Sequence, residues 1–304
     1  MKNIARFIAD QCLNVQPGED VLIVCDYPHI GMAHVFGESL SCPLVCIPSA
    51  GYNGEEPPPQ VSHIFTGYDA ILALTTFSLG PTDARKKACE KGVRFVSMAG
   101  ITRESLQTIV DTDYQLLEER GIILQEIFEP AEKVTVESSG LVLEMSVKGR
   151  HPLPLTGRYT EKGAFGTLPE GEVLISPVEE SVEGSFAVDI GMVGLGFLQD
   201  PIVFHVHKGQ VISVEGEGEA LETLLNAHQG SRQIAECAVG INPAAKPNTI
   251  FEAKKIEGTC HISLGDNHTI GGRHRAGIHM DGVISAPTVT IDRIVVVDCG
   301  TLVI

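Results

Sequence analysis

"FEPAEKVTVESSG" (residues 128–140) marks the place where the pattern of the chain changes. Upstream of it, helix-like and strand-like segments alternate. From about residue 133 onward, short strands follow one another with turns between them. A chain with such a switch reads as two domains built on different principles.

The upstream part starts with "IARFIADQCL", whose apolar residues recur at helical spacing. "QPGED" breaks that pattern. "VLIVC" (residues 21–25) then has the short continuous apolar character of a buried parallel strand. A helix is expected over about residues 29–40, followed by a strand in "PLVCIP". After a Gly/Pro-rich loop comes "AILALTT" as a strand. "PTDARKKACEKG" follows as a helix, with Pro near its start and Gly after its end, and "VRFVS" is the next strand. The alternation predicts a parallel sheet flanked by helices. No G-x-G-x-x-G follows the first strand, so a dinucleotide site is not supported.

Downstream, "KVTVESS", "LVLEMSVKG", "EVLISPVE" and "SFAVDIG" read as strands. "PIVFHVHKGQVISVEGEG" reads as a hairpin turning at Lys208 and Gly209. One helical segment, over about residues 217–238, interrupts them. The fold class expected is therefore α/β: an N-terminal Rossmann-like α/β domain over residues 1–130, then a strand-rich α+β metal-binding domain over residues 131–304.

Bulk properties narrow the functions. The chain has 304 residues, 43% hydrophobic and 20% charged, a globular balance. Trp is absent, so the core must be built from Val, Ile, Leu and Ala. The formal charge of −17 would repel a phosphate backbone, and no Lys/Arg stripe offsets it, so no nucleic-acid partner is expected. No apolar run approaches the ~18 residues of a membrane helix. The start of the chain lacks the features of a secretory signal. The eight cysteines are scattered without a C-x-x-C pair, which suits reduced thiols and a cytoplasmic location.

The chemistry concentrates in "GTCHISLGDNHTIGGRHRAGIHMDG" (residues 258–282), which holds His261, His268, His274 and His279 of the chain's eleven histidines. In a strand, His279 and Asp281 point the same way, and imidazole with carboxylate suits zinc, manganese or iron(II). The bland alternative is a surface His–Asp pair. His261 is a further donor, or a hydrogen-bonded core histidine. Glu236 in "RQIAECAVGINP" is expected in the last turn of an apolar helix. There a carboxylate faces the negative end of the helix dipole, and a cation would offset that cost. Glu172 in "GTLPEGEVLISP" opens a strand, with Glu170 before it in a solvated turn. Asp189 is a weaker acid candidate. His205 and His207 form H-x-H in the hairpin, which fits its polar face better than a metal site. His268, His274, Arg273 and Arg275 lie in a Gly-rich loop that could carry a proton donor or an anion site, or be a solvated basic patch. There is no G-x-S-x-G elbow. Cys237 and Cys260 neighbour candidate ligands but should point away from them.

Five blocks, "NVQPGEDVLIV", "LPEGEVLISPVE", "IAECAVGINPAA", "GTCHISLGDN" and "AGIHMDGVI", occur in an order that resembles the thermophilic metallo-aminopeptidases of the aminopeptidase T and S type. Their relatives, the 2,5-dihydroxypyridine dioxygenases, share the resemblance. For the aminopeptidases it implies two divalent metals on Glu172, Glu236, His261, His279 and Asp281. For the dioxygenases it implies one iron(II) on His261, His279 and Asp281. The chain departs from both patterns. His268 stands where the aminopeptidases carry a catalytic tyrosine. Gly171 stands where their block has an acid beside the Glu172 equivalent. No residue after "LPEGEVLISP" matches the dioxygenases' additional acid–base histidine.

The reading put first is a divalent-metal-dependent, aminopeptidase-like hydrolase of a peptide or small amide, using zinc, cobalt or manganese to activate water. Glu172 would act as base or bridging ligand, and His268 would donate a hydrogen bond to the oxyanion. The alternative is a mononuclear iron(II) ring-cleaving dioxygenase of a small dihydroxylated heteroaromatic. A third is a binding protein that keeps the fold without catalysis. A small-molecule or short-peptide partner, no membrane and a possible homodimer complete the expectations.

Overall fold

The computed structural model describes residues 1–216 and 219–304. The chain divides into two compact units, Met1–Thr112 with Gly157–Glu170, and Asp113–Thr156 with Gly171–Ile304.

The first unit is built on a five-stranded, all-parallel sheet. Its order is Leu44–Ile47, Val21–Asp26, Ala70–Leu74, Arg94–Ser97, Phe165–Thr167. "VLIVCD" and "AILAL" are buried at every position, as central strands covered on both faces must be. Leu22, Val24, Ile71 and Phe95 pack with Phe65 in one core, and the rings of Phe65 and Phe95 lie 5.7 Å apart. Truncating a fully buried phenylalanine such as Phe95 costs about 3–5 kcal/mol. The helix Asp83–Glu90 starts where expected. The Thr82 hydroxyl accepts the Arg85 N–H at 3.1 Å, a cap that contributes about 1 kcal/mol.

The second unit carries two antiparallel sheets. The eight-stranded one runs Gln210–Glu215, Ile202–His207, Glu183–Val188, Leu141–Ser146, Lys133–Ser138, Thr288–Ile291, Ile294–Asp298, Thr301–Leu302. Its hairpin turns at Lys208 and Gly209, both at positive φ (47° and 74°), the conformation a two-residue turn of this hand requires. The seven-stranded sheet runs Gly196–Phe197, Gly191–Met192, His279–Ile284, Cys260–Gly265, Ile234–Gly240, Glu172–Ile175, Leu153–Leu155.

Two expectations change. The units do not part at residue 130. The helix Tyr114–Phe128 belongs to the second unit, where it packs on Leu153–Leu155 and Glu172–Ile175. Residues 157–170 return to the first unit, where Phe165–Thr167 extends the parallel sheet. A three-residue strand is too short to leave a periodic signal. The helix expected over about residues 217–238 is only Glu219–Ala227, and residues 217 and 218 lie outside the described residues. Ile234–Gly240, "IAECAVG", is a strand buried at all seven positions. A short apolar run carries no periodicity that separates buried helix from buried strand.

Candidate metal centre

The register of the seven-stranded sheet explains the site. Glu236 lies opposite Ser263, and Ser263 lies opposite Asp281. His261 and His279 are each two residues from a member of that row, and Glu172 pairs with Gly240, four residues from Glu236. With a side-chain period of two, Glu172, Glu236, His261, Ser263, His279 and Asp281 all share one face. Cys237 and Cys260 fall on the reverse face, with their sulfurs 4.0 Å apart.

All five candidate ligands are thus brought together and buried. They form two groups of three, Glu172–Glu236–His261 and Glu236–His279–Asp281, with Glu236 common to both. Glu236 is on a strand, not at a helix end, so the dipole argument does not apply to it.

Both imidazoles present Nε2 to Glu236: that of His261 lies 2.7 Å from Oε1, and that of His279 lies 3.7 Å from Oε2. His279 Nε2 is also 3.0 Å from Asp281 Oδ1. The rear nitrogens face anchoring groups. His279 Nδ1 lies 2.8 Å from the Asp266 carbonyl, to which it donates. His261 Nδ1 is 3.8 Å from Glu172 Oε2. Asp281 Oδ1 accepts the Ser263 hydroxyl at 2.7 Å. His279, with Nε2 inward and Nδ1 on a carbonyl, has the orientation in which proteins hold a histidine ligand.

Glu172 Oε2 and His261 Nδ1 are buried and have no hydrogen-bond partner among the described residues. An unmet buried polar group costs about 1–3 kcal/mol, so the cluster is not at rest as a purely structural network. Two imidazoles and three carboxylates directed into one buried space fit a divalent cation of the zinc, manganese or iron(II) kind.

Two lysines complete the cluster, and sequence reasoning missed them. Lys255 Nζ lies 2.6 Å from Glu172 Oε1. Lys254 Nζ lies 3.0 Å from Asp281 Oδ2 and 3.8 Å from Glu172 Oε1. Both follow the short helix Ile250–Ala253, and both are buried. No sequence signal marks them, because adjacent lysines in an acidic chain are ordinarily solvated.

Electrostatics follow from this packing. Burial would push the Glu172 carboxyl up, but Lys254 and Lys255 outweigh it and hold it down at about 2. Burial likewise opposes charge on Asp281, and Lys254 with His279 overcomes it, holding that carboxyl well below its usual range. Burial disfavours a charged His279, yet Asp281 and Glu236 raise it to about 9. The carboxylates around His279 thus favour positive charge at this place.

The other candidates lie elsewhere or differ from expectation. His268 sits in the turn after the His261 strand, where its Nδ1 and backbone N–H both bond the Asp266 carboxylate. His274 bonds the Gly230 carbonyl at 2.8 Å. Asp189 accepts from the backbone and hydroxyl of Ser285. Glu170 is buried rather than solvated, accepting from Tyr159 and Thr167. Gly171 has φ +139°, and a Cβ there would come within 2.5 Å of Asn242 Cβ and 3.2 Å of Leu117. That close approach is why glycine, and no second acid, precedes Glu172.

Known proteins resemble this chain in sequence and in fold. A curated relative, 2,5-dihydroxypyridine 5,6-dioxygenase of Pseudomonas putida KT2440, is 24% identical over 173 residues, covering 51% of this chain and 49% of that protein. The chain thus matches about half the length of that relative. The solved structure of 2,5-dihydroxypyridine dioxygenase from P. putida KT2440 superposes with a TM-score of 0.83 at 16% identity, covering 99% of this chain and 96% of the other. Wild-type AmpT from Thermus thermophilus superposes with a TM-score of 0.70 at 16% identity, covering 100% and 98%. At these identities the superpositions establish the fold. The profile of one family, "NicX: 2,5-dihydroxypyridine 5,6-dioxygenase", matches residues 56–304, and the chain belongs to that family.

Proposed function

We propose that this chain is an iron(II)-dependent ring-cleaving dioxygenase of a small dihydroxylated heteroaromatic, with 2,5-dihydroxypyridine as the first substrate to try. The observation that carries the reading is the inward pair of Nε2 atoms, His261 and His279, beside Asp281 on one sheet face. Two histidines and one carboxylate are the ligand set of non-haem iron(II) oxygenases, and family membership supports it. Glu236, facing both nitrogens, is a fourth donor.

Bound iron(II) would supply the redox chemistry and keep positions open for dioxygen and substrate. The chain's own residues do the rest. The Asp266 carbonyl fixes the tautomer and plane of His279. Ser263 and Lys254 orient the two oxygens of Asp281. His268, held through Nδ1 by Asp266, is the acid–base candidate for a substrate hydroxyl proton. The same Asp266 thus positions a ligand histidine through its carbonyl and His268 through its carboxylate.

The test is oxygen uptake by anaerobically purified, iron-loaded protein on addition of 2,5-dihydroxypyridine. Uptake in step with substrate loss is expected. No uptake across dihydroxylated pyridines and benzenes would overturn the reading. The aminopeptidase-like hydrolase remains as a second reading, because Glu236 is shared by two three-residue groups, as a bridging carboxylate would be. Release of amino acid from aminoacyl-p-nitroanilides by zinc-, cobalt- or manganese-loaded protein would favour it.

A further inference from the structure

The five candidate ligands resemble a set that could hold two ions, yet two ammonium groups lie among them. With His261 and His279 neutral, as metal ligands are, the three buried carboxylates Glu172, Glu236 and Asp281 face Lys254 and Lys255, and a single negative charge is left over. One divalent ion brings the cluster to one positive charge, which an anionic substrate would neutralise. Two divalent ions would leave three positive charges in a buried space, where uncompensated charge is costly. The geometry matches the count. Lys255 occupies Glu172 Oε1, while Glu172 Oε2 stands behind His261 on its Nδ1 side. Lys254 bridges Glu172 and Asp281, the carboxylates at either side of the cluster.

We infer that Lys254 and Lys255 are built-in counter-cations that stand in for a second metal and limit the cluster to one divalent ion per chain. Glu172 is then a positioning residue, held by Lys255 with its second oxygen 3.8 Å from His261 Nδ1. The inference rests on the metal-binding part of the reading above and does not depend on the reaction.

The experiment measures metal stoichiometry on the full chain. Wild type, Lys255→Met and the double variant Lys254→Met/Lys255→Met are loaded with excess manganese(II) or zinc(II) and desalted. Bound metal is then counted by elemental analysis. Wild type should hold about one ion per chain, and the double variant about two, with a magnetically coupled manganese pair by electron paramagnetic resonance. Two ions in wild type, or one in a folded double variant, would overturn the inference while leaving a metal site in place. No ion in wild type would remove the metal reading itself, and the inference with it. Glu172→Gln in the wild-type background keeps the proposal testable if the lysine variants do not fold. It should retain one ion at saturation with affinity lowered about 10–100-fold, the effect of an outer anchoring group, and complete loss of metal would overturn the assignment.

Discussion

His279-x-Asp281 and His205-x-His207 have the same spacing, both lie on antiparallel strands of the second unit, and both place two polar side chains on one side. Only the first pair joins a cluster. The side chains of His205 and His207 are 33% and 58% exposed, and each meets one exposed glutamate, Glu215 and Glu183 respectively. The side chains of His279 and Asp281 are 11% and 3% exposed, and they meet Ser263 and Glu236 on the next two strands and Lys254 just after the helix Ile250–Ala253. The hairpin pair lies one strand in from the sheet edge, and beside the Ser185 hydroxyl at 2.9 Å from His205 Nδ1 the charged groups it meets are solvated. On one side of the His279 strand three strands in succession, Cys260–Gly265, Ile234–Gly240 and Glu172–Ile175, each add a donor to the same buried face. Position in the sheet, more than the i, i+2 spacing, separates a candidate metal site from a polar surface.

That contrast can be broken by experiment. The largest effect is expected for His279→Ala, which removes an inward Nε2 and should lower metal affinity by more than about 100-fold. Metal analysis showing wild-type content in this variant would erase the distinction between the two pairs. Ser263→Ala removes the hydroxyl that orients Asp281 and should weaken metal binding by about 10–100-fold without unfolding the chain. Calorimetric titration of the stripped protein checks it.

A pH effect comes next. In metal-stripped protein His279 is raised from 6.5 to about 9. Its contribution to stability is therefore complete below about pH 6.5 and lost as pH rises through about 9. The melting temperature of wild type should fall over that window more steeply than that of His279→Ala, and parallel curves would refute the assignment. The smallest effect belongs to the hairpin. His205→Ala/His207→Ala should leave metal content unchanged and cost no more than about 1 kcal/mol by urea denaturation, as exposed pairs do.

Much of this was legible in the residues. "VLIVC" and "AILALTT" announce buried parallel strands because a strand covered on both faces must be apolar throughout. Glu172, His261, His279 and Asp281 are readable as strand residues with donor side chains, and the period of two puts His279 and Asp281 on one side. Glu236 was named as a candidate but set on the wrong element, because "IAECAVG" is buried all round and has no period. Lys254 and Lys255 were not legible, because adjacent lysines in a soluble, acidic chain are ordinarily solvated. Only the cross-strand carboxylates show why these two are buried. Glu170 misled for the converse reason: its partners, Tyr159 and Thr167, are met only through local folding of the turn.

Gly171 also has a consequence for redesign of the site. Its φ of +139°, and the 2.5 Å at which an added Cβ would meet Asn242 Cβ, close the position to any side chain. An acid placed there needs two coordinated changes, one to clear Asn242 and one to reverse the backbone. The donor set on this strand is therefore capped by sterics at the single carboxylate of Glu172.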